Sequence, residues 1–286
     1  MTQEAASASG AAMDQLLRGF TRDMERRALR PATIRRRRDI LRTVHHELGH
    51  PLEVATEAIQ QLLDRRSLAP RTRYTWISHL HAFYGWAIAQ GHTAVDPTAR
   101  IMRPKLDRLL PRPISDQDLA LALEQAPHQM HAWIVLMAYA GLRCSEVAGL
   151  ARTDILDAHR MLRVLGKGRR ERMVPMHPLV VDTLARYPMA RTGPVFRRPG
   201  GSSWPAPKVS RRTNVFLDEL GIDATAHQFR HWFGTMVQAE GGDLRVTQEL
   251  LGHANPGTTA GYAAFSFVRG VEAVSGLPTM LRVPAA

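Results

Sequence analysis

Between Asp96-Pro97 and Pro113 the helical pattern of the chain stops. Pro104, Pro111 and Pro113 fall within ten residues, with Arg103 and Lys105 among them. Proline removes a backbone donor and fixes its own φ, so such a stretch continues neither a helix nor a central strand. It reads as an exposed basic linker over 103–113 between two domains. A chain of 286 residues has room for two, at roughly 100–200 residues each.

Ahead of the linker, the pattern predicts a helical domain over 12–102, preceded by a disordered tail over 1–11 of small and polar residues. Leu16, Leu17, Phe20 and Met24 recur at helical spacing. Pro31 opens a second helix carrying Ile34, Ile40, Leu41, Val44 and Leu48, and Gly49 closes it. A third covers about 53–64. A fourth starts near Pro70 and carries Tyr74, Ile77, Leu80, Phe83, Tyr84 and Ile88. Behind the linker, 114–286 reads as mixed. Ser115 caps a helix with Asp118 at its third position. Met130–Gly141 is an apolar helix. Met161–Leu165 and Arg172–Pro175 form a hairpin around Gly166-Lys167-Gly168-Arg169-Arg170. Helices follow at about 179–187, 208–220, 226–239, 244–251 and 257–265. The fold class is mainly α: a four-helix N-terminal domain, then an α+β domain with a small antiparallel sheet.

Charge narrows the partner. There are 38 Lys+Arg against 26 Asp+Glu, for a net charge of +12. The excess is +6 up to Pro104, from 16 Arg and 10 acids, and +6 beyond it. Two basic domains suit a polyanion, most often nucleic acid. Cys144 is the only cysteine, which excludes an intramolecular disulfide and a Cys-rich zinc site. The longest apolar run, Trp133–Leu142, falls short of the roughly 20 residues that span a bilayer. Met1–Gly10 lacks the pattern of a secretory signal. The expectation is a cytoplasmic protein without a membrane partner.

Four constellations carry chemistry. In Ala140-Gly-Leu-Arg143-Cys-Ser-Glu146, an apolar helix breaks at Gly141 and Arg143 lies at the turn into the next helix, a place to hold an anion. The alternative is an arginine paired with Glu146. In His227-Gln-Phe-Arg230-His231, two histidines and an arginine share a face opposite an apolar stripe of Phe229, Phe233, Met236 and Val237. The alternative is a solvated face. Gln228 stands where a helical metalloprotease needs Glu, and Trp232 where a histidine phosphatase would have Gly. In Leu250-Leu-Gly-His253-Ala-Asn-Pro256, a helix ends at Gly252 and His253 sits on the turn. A short helix then brings Tyr262, whose neighbours Ala260, Gly261, Ala263 and Ala264 leave its hydroxyl approachable. Lys167 lies at the hairpin tip beside Arg169 and Arg170. Only three of the 38 basic residues are lysine, and lysine, unlike arginine, gives up a proton when its pKa is lowered. The alternative is a basic turn touching phosphate.

Together these are parts for phosphoryl transfer without metal or other cofactor. Two arginines clamp the non-bridging oxygens. A tyrosine serves as nucleophile, a histidine takes its proton, and a lysine protonates the leaving oxygen. No triphosphate-binding glycine loop is present.

In this order and spacing, the residues resemble the tyrosine recombinases, the phage integrase and Xer-type family. The resemblance covers about 13–275. Arg143, Lys167, His227, Arg230, His253 and Tyr262 fill the family's six positions. It implies that 12–102 binds the core site of duplex DNA, that 114–286 is the catalytic domain, and that the two close as a C-shaped clamp. Arg143 and Arg230 then bind the scissile phosphate and Lys167 is the general acid. His227 accepts the proton of Tyr262, and His253 hydrogen-bonds the phosphate. His231 takes a structural role. Strand exchange runs through a 3′-phosphotyrosine and a Holliday junction in a homo-tetramer, with Val268–Leu277 docking on a neighbouring protomer. Arg35, Arg36, Arg37, Arg38, Arg71 and Arg73 are further candidates for DNA contact. The few residues before the first helix predict a compact form without an arm-binding domain, leaving room for a directionality factor as a further partner. An Xer-like resolvase, a type IB topoisomerase and a non-catalytic DNA-binding protein are the competing readings.

Overall fold

The computed structural model describes the backbone of residues 3–107, 112–166, 171–241, 244–252 and 267–280. The chain divides into two compact units, Met1–Leu109 and Leu110–Ala286.

The first unit packs four helices: α1 (Gln3–Arg26), α2 (Pro31–Leu48), α3 (Thr56–Arg65) and α4 (Pro70–Ala89). α1 starts at Gln3, so the expected loose tail over 1–11 is helical from its third residue. Its Ala-rich, proline-free stretch has high intrinsic helix propensity and continues the register of the buried residues below it. Pro31 and Pro70 each occupy the first helical position, where a missing N–H costs nothing. Gly49 ends α2 with φ +92°. The third helix begins at Thr56, three residues later than its pattern predicts, because Pro51–Glu53 winds into a separate 3₁₀ turn. The core is aromatic. Phe20 of α1 meets Phe83 edge-on at 5.4 Å and Trp86 at 5.1 Å. Gly19 lets α1 approach that indole, since a Cβ there would stand 3.2 Å from the Trp86 ring.

The second unit is built around α6 (His128–Tyr139), whose residues from Ala132 to Tyr139 are all buried. α5 (Asp116–Gln125) precedes it, and Ser115 caps α5 by accepting the Asp118 N–H at 3.0 Å. α7 (Cys144–Gly149) follows it. A three-stranded antiparallel sheet runs in the order β1 (Ile155–Leu156), β2 (Met161–Leu165), β3 (Glu171–Pro175). Its central register pairs Met161 with Pro175 and Leu165 with Glu171. β1 has only two residues, too few to show an alternation in the sequence. Then come α8 (Pro178–Arg186), α9 (Ala206–Glu219), α10 (Ala226–Gly241), α11 (Leu244–Leu251) and α12 (Phe267–Ser275). The helix expected at 257–265 lies outside the described residues.

α12 packs on α10 and α11 of its own unit. Ala273, Val274 and Leu277 are buried there. Tyr139 Oη donates to the Pro278 carbonyl at 3.2 Å and accepts the Met280 N–H at 3.1 Å. His177 Nε2 lies 3.1 Å from the Leu277 carbonyl. In this single chain, apolar residues of the segment expected to dock on a neighbour pack into the unit's own core.

Candidate active site

Gly141 starts the site. Its left-handed backbone (φ +60°) ends α6 and turns the chain so that the Leu142 N–H bonds back to Leu136 O at 3.1 Å. A Cβ at this position would lie 2.5 Å from the Phe233 ring. The missing side chain thus admits α10. Arg230, expected with His227 and His231 on the face opposite the apolar stripe, is instead buried on the same side as Phe233, because it donates to the carbonyl of Gly141 itself and to that of Leu251.

Arg143 leads into α7, and Glu146 stands one turn later. The Glu146 carboxylate accepts the Arg143 backbone N–H at 2.8 Å and its Nη1–H at 2.9 Å. It also takes a two-pronged pair from Arg172 of β3, at 3.0 and 2.8 Å. Arg230 Nη1 lies 3.7 Å away. The pairing of Arg143 with Glu146 and the gathering of arginines are thus one structure. One carboxylate, whose side chain is 3% exposed, holds three guanidiniums and leaves two positive charges uncompensated.

These charges set the titration of the group. Burial opposes ionisation of Glu146, but the hydrogen bonds and charge of Arg172, the Arg143 backbone N–H and the Arg230 charge outweigh it, so its pKa falls below the usual value. Arg230 is pulled down to about 9 by burial and then by Arg143, with Glu146 pulling the other way. It remains a cation at neutral pH. Each guanidinium has five N–H donors; Arg143 is a third exposed and can turn some of them to a phosphate, whereas Arg230 is buried with both Nη groups donating to backbone carbonyls.

The same three arginines meet the end of α11, at consecutive residues. Arg172 Nε donates to Leu250 O at 2.8 Å, Arg230 to Leu251 O, and Arg143 Nη2 approaches Gly252 O at 3.4 Å. These carbonyls have no partner within the helix and carry its negative end, which cations satisfy. His253 follows Gly252 directly in the chain.

His227 is exposed on α10, and its ring meets His231 edge-on at 4.5 Å. Burial and the Arg230 charge lower the pKa of His231. The structure therefore brings together Arg143, Arg230 and the helix face that carries His227. Lys167, Arg169, Arg170, His253 and Tyr262 lie outside the described residues. Among the described residues, no three His, Cys, Asp or Glu side chains are placed to hold a metal ion.

In the first unit, Arg35, Arg36 and Arg71 are exposed. Arg37 and Arg73 are engaged within the protein. Arg37 Nε lies 3.4 Å from His79 Nδ1 and its guanidinium sits over the Phe20 ring. Burial, then Arg27, lowers its pKa. Arg73 binds Asp64 at 2.6 Å. Arg38 is half-buried.

The sequence reading did not single out Arg172 for the site. Its signal is the alternation of β3, where Glu171 and Met173 point out while Arg172 and Val174 point in. A cation at an inward strand position needs a buried partner.

Comparison with known proteins identifies the family. The family model described as the phage integrase family matches residues 115–268. The tyrosine recombinase XerC of Rhodospirillum centenum is 37% identical over 209 residues, covering 67% of this chain and 61% of that protein. XerC of Xylella fastidiosa is 35% identical over 216 residues, covering 71% and 73%. A lambda integrase tetramer solved on a Holliday junction shares the fold, with a TM-score of 0.69 at 16% identity over 89% of this chain and 82% of that one. No helix among the described residues is long and apolar enough to cross a membrane. With arginines gathered at the end of α11 and relatives of this similarity, the chain belongs to the phage integrase family and is a tyrosine recombinase.

Proposed function

We propose that this protein recombines duplex DNA at specific sites with Tyr262 as its nucleophile. The observation that carries the reading is the cluster of Arg143 and Arg230 around Glu146, a preorganised pair of cations that meet the carbonyls of Gly252 and Leu251, the two residues before His253 in the chain. Such donors act where charge develops in the transition state and need no reorganisation during the reaction. Arg143 and Arg230 hold the non-bridging oxygens of the scissile phosphate, and His253 donates to one of them. The Tyr262 oxygen attacks phosphorus as its proton passes to His227. The bond to the 5′-oxygen breaks, and Lys167 protonates that oxygen. One phosphodiester becomes one phosphotyrosine, so the bond energy is retained and the reverse attack by a new 5′-hydroxyl rejoins the strand.

The unit over 12–102 binds the core site through exposed arginines including Arg35, Arg36 and Arg71, and 114–286 carries the chemistry. Arg169 and Arg170 contact backbone phosphate. Two strand exchanges through a Holliday junction require four active sites, hence a homo-tetramer on DNA; the tetrameric fold relative supports this. The setting is the cytoplasm and nucleoid of a bacterial host, the task is integration of a viral genome, and a directionality factor sets the sense of reaction. A second reading, an Xer-like chromosome or plasmid resolvase, is supported by the XerC relatives.

The test is covalent trapping. The protein is incubated with nicked duplex fragments from its own gene neighbourhood, denatured, and examined for a protein–DNA adduct, with Tyr262→Phe alongside. An adduct lost in Tyr262→Phe is expected. An adduct that survives the substitution overturns the assignment. Fragments trapped from a phage attachment region favour integration, and those from a replication terminus favour resolution.

A further inference from the structure

We infer that Arg172 is a positioning residue for strand cleavage, tying the end of α11 to the carboxylate that orients Arg143 and Arg230. The inference rests on the proposed recombination chemistry. Arg172 projects inward from β3 and its side chain is only 10% exposed. Both Nη groups are directed at Glu146, and Nε is directed at Leu250 O. One planar group thus spans two elements far apart in the chain, 26 residues to Glu146 and 78 to Leu250. Gly252 closes over it in the left-handed conformation, and a Cβ there would stand 3.0 Å from Arg172 Cδ.

What these contacts join is specific. Glu146 holds Arg143 and Arg230. β3 is one arm of the hairpin whose connection contains Lys167, five positions before Arg172. The end of α11 leads to His253 and then Tyr262. Arg172 therefore links the parts that bind phosphate, donate the proton and supply the nucleophile, while its own donors are turned inward. Positional errors near 1 Å at such a site cost about 10²-fold in rate. Lysine cannot replace it, because its donors radiate from one atom and cannot span both carboxylate oxygens and the Leu250 carbonyl.

The test compares wild type, Arg172→Ala and Arg172→Lys as full-length proteins on the trapped DNA fragment. Adduct formation is followed at saturating DNA, and affinity is measured separately. Both variants should bind with wild-type affinity and form adduct about 10²-fold more slowly. Added guanidinium ion should restore rate to Arg172→Ala, which loss of fold alone would not allow. Thermal melting checks folding, and if Arg172→Ala does not fold, Arg172→Lys decides. Adduct formation at the wild-type rate, a loss confined to affinity, or a folded Arg172→Ala that guanidinium does not restore overturns the inference. If instead the wild-type adduct survives Tyr262→Phe, the recombination assignment fails and takes this inference with it. If the adduct depends on Tyr262 while the Arg172 variants react at full rate, only the role of Arg172 fails.

Discussion

The side-chain carboxylate of Glu146 bonds Arg143 twice, one helical turn away. The Glu146 carboxylate accepts the backbone N–H of Arg143 at 2.8 Å and its guanidinium at 2.9 Å. The first bond caps α7, and the second sets the direction of the arginine that faces phosphate. Local helix chemistry and the placement of a functional cation therefore rest on one carboxylate, which two further arginines also share.

Removing that carboxylate should be costly in a pH-dependent way. Glu146→Ala leaves three guanidiniums without a counter-charge and should lose about 3–5 kcal/mol of stability, the range for breaking a buried pair. Denaturant unfolding measures it. The pKa of Glu146 is lowered from 4.5, so its stabilisation is complete above that value and is lost as pH falls through the lower folded value. The gap between wild type and Glu146→Gln should narrow at the acid end. A gap independent of pH contradicts the ion-pair account.

Two glycines should resist substitution for different reasons. Gly141→Ala drives a methyl into the Phe233 ring in addition to the strain of φ +60°, so the contact of α6 with α10 should open and the protein should be markedly destabilised. Gly252→Ala carries backbone strain of roughly 1–2 kcal/mol and presses on Arg172. It should slow cleavage more than it lowers melting temperature. Equal effects of the two on melting contradict this ranking.

Salt dependence should separate the arginines of the first unit. Arg35, Arg36 and Arg71 are exposed, and each one that contacts phosphate should reduce the slope of log affinity against log salt by about 1 when changed to alanine. Arg73 is paired with Asp64, so Arg73→Ala should alter the slope less. Binding titrations at several salt concentrations decide this, and an equal effect of Arg73→Ala refutes it.

The docked C-terminal helix should loosen in mild acid. His177 Nδ1 accepts the Leu179 N–H at 3.1 Å, which only an unprotonated nitrogen can do. Burial lowers its pKa from 6.5, opposed by the Leu277 carbonyl. Its contribution is therefore full above 6.5 and is lost as pH falls through the lower folded value. Hydrogen exchange over residues 270–280, corrected for intrinsic rates, should accelerate between about pH 7.5 and about pH 5.5. His177→Gln should remove that dependence. Unchanged protection in the wild type rules it out.

Much of this protein is legible in one dimension. Apolar spacing marks α2 and α4, proline marks their starts, and Ser115 with Asp118 marks the start of α5, because these signals act within a few residues. The beginning of α1 is not legible in this way, since a small, polar, Ala-rich stretch suits both a tail and a helix. The candidate site residues, too, are read from residue type, order and spacing. The partners of those residues are not. Nothing local states that Arg172 shares Glu146 with Arg143, that Arg230 reaches back 89 residues to Gly141 O, or that Arg73 is taken by Asp64. Nor does the apolar pattern of α12 say whether it packs on its own unit or on another copy, because the same surface would be buried either way. Residue order and spacing carry most of the helices of the described residues, the two basic halves and the residue types for the chemistry. Which guanidinium meets which carboxylate and carbonyl is set in three dimensions, because those bonds join elements that packing alone brings together.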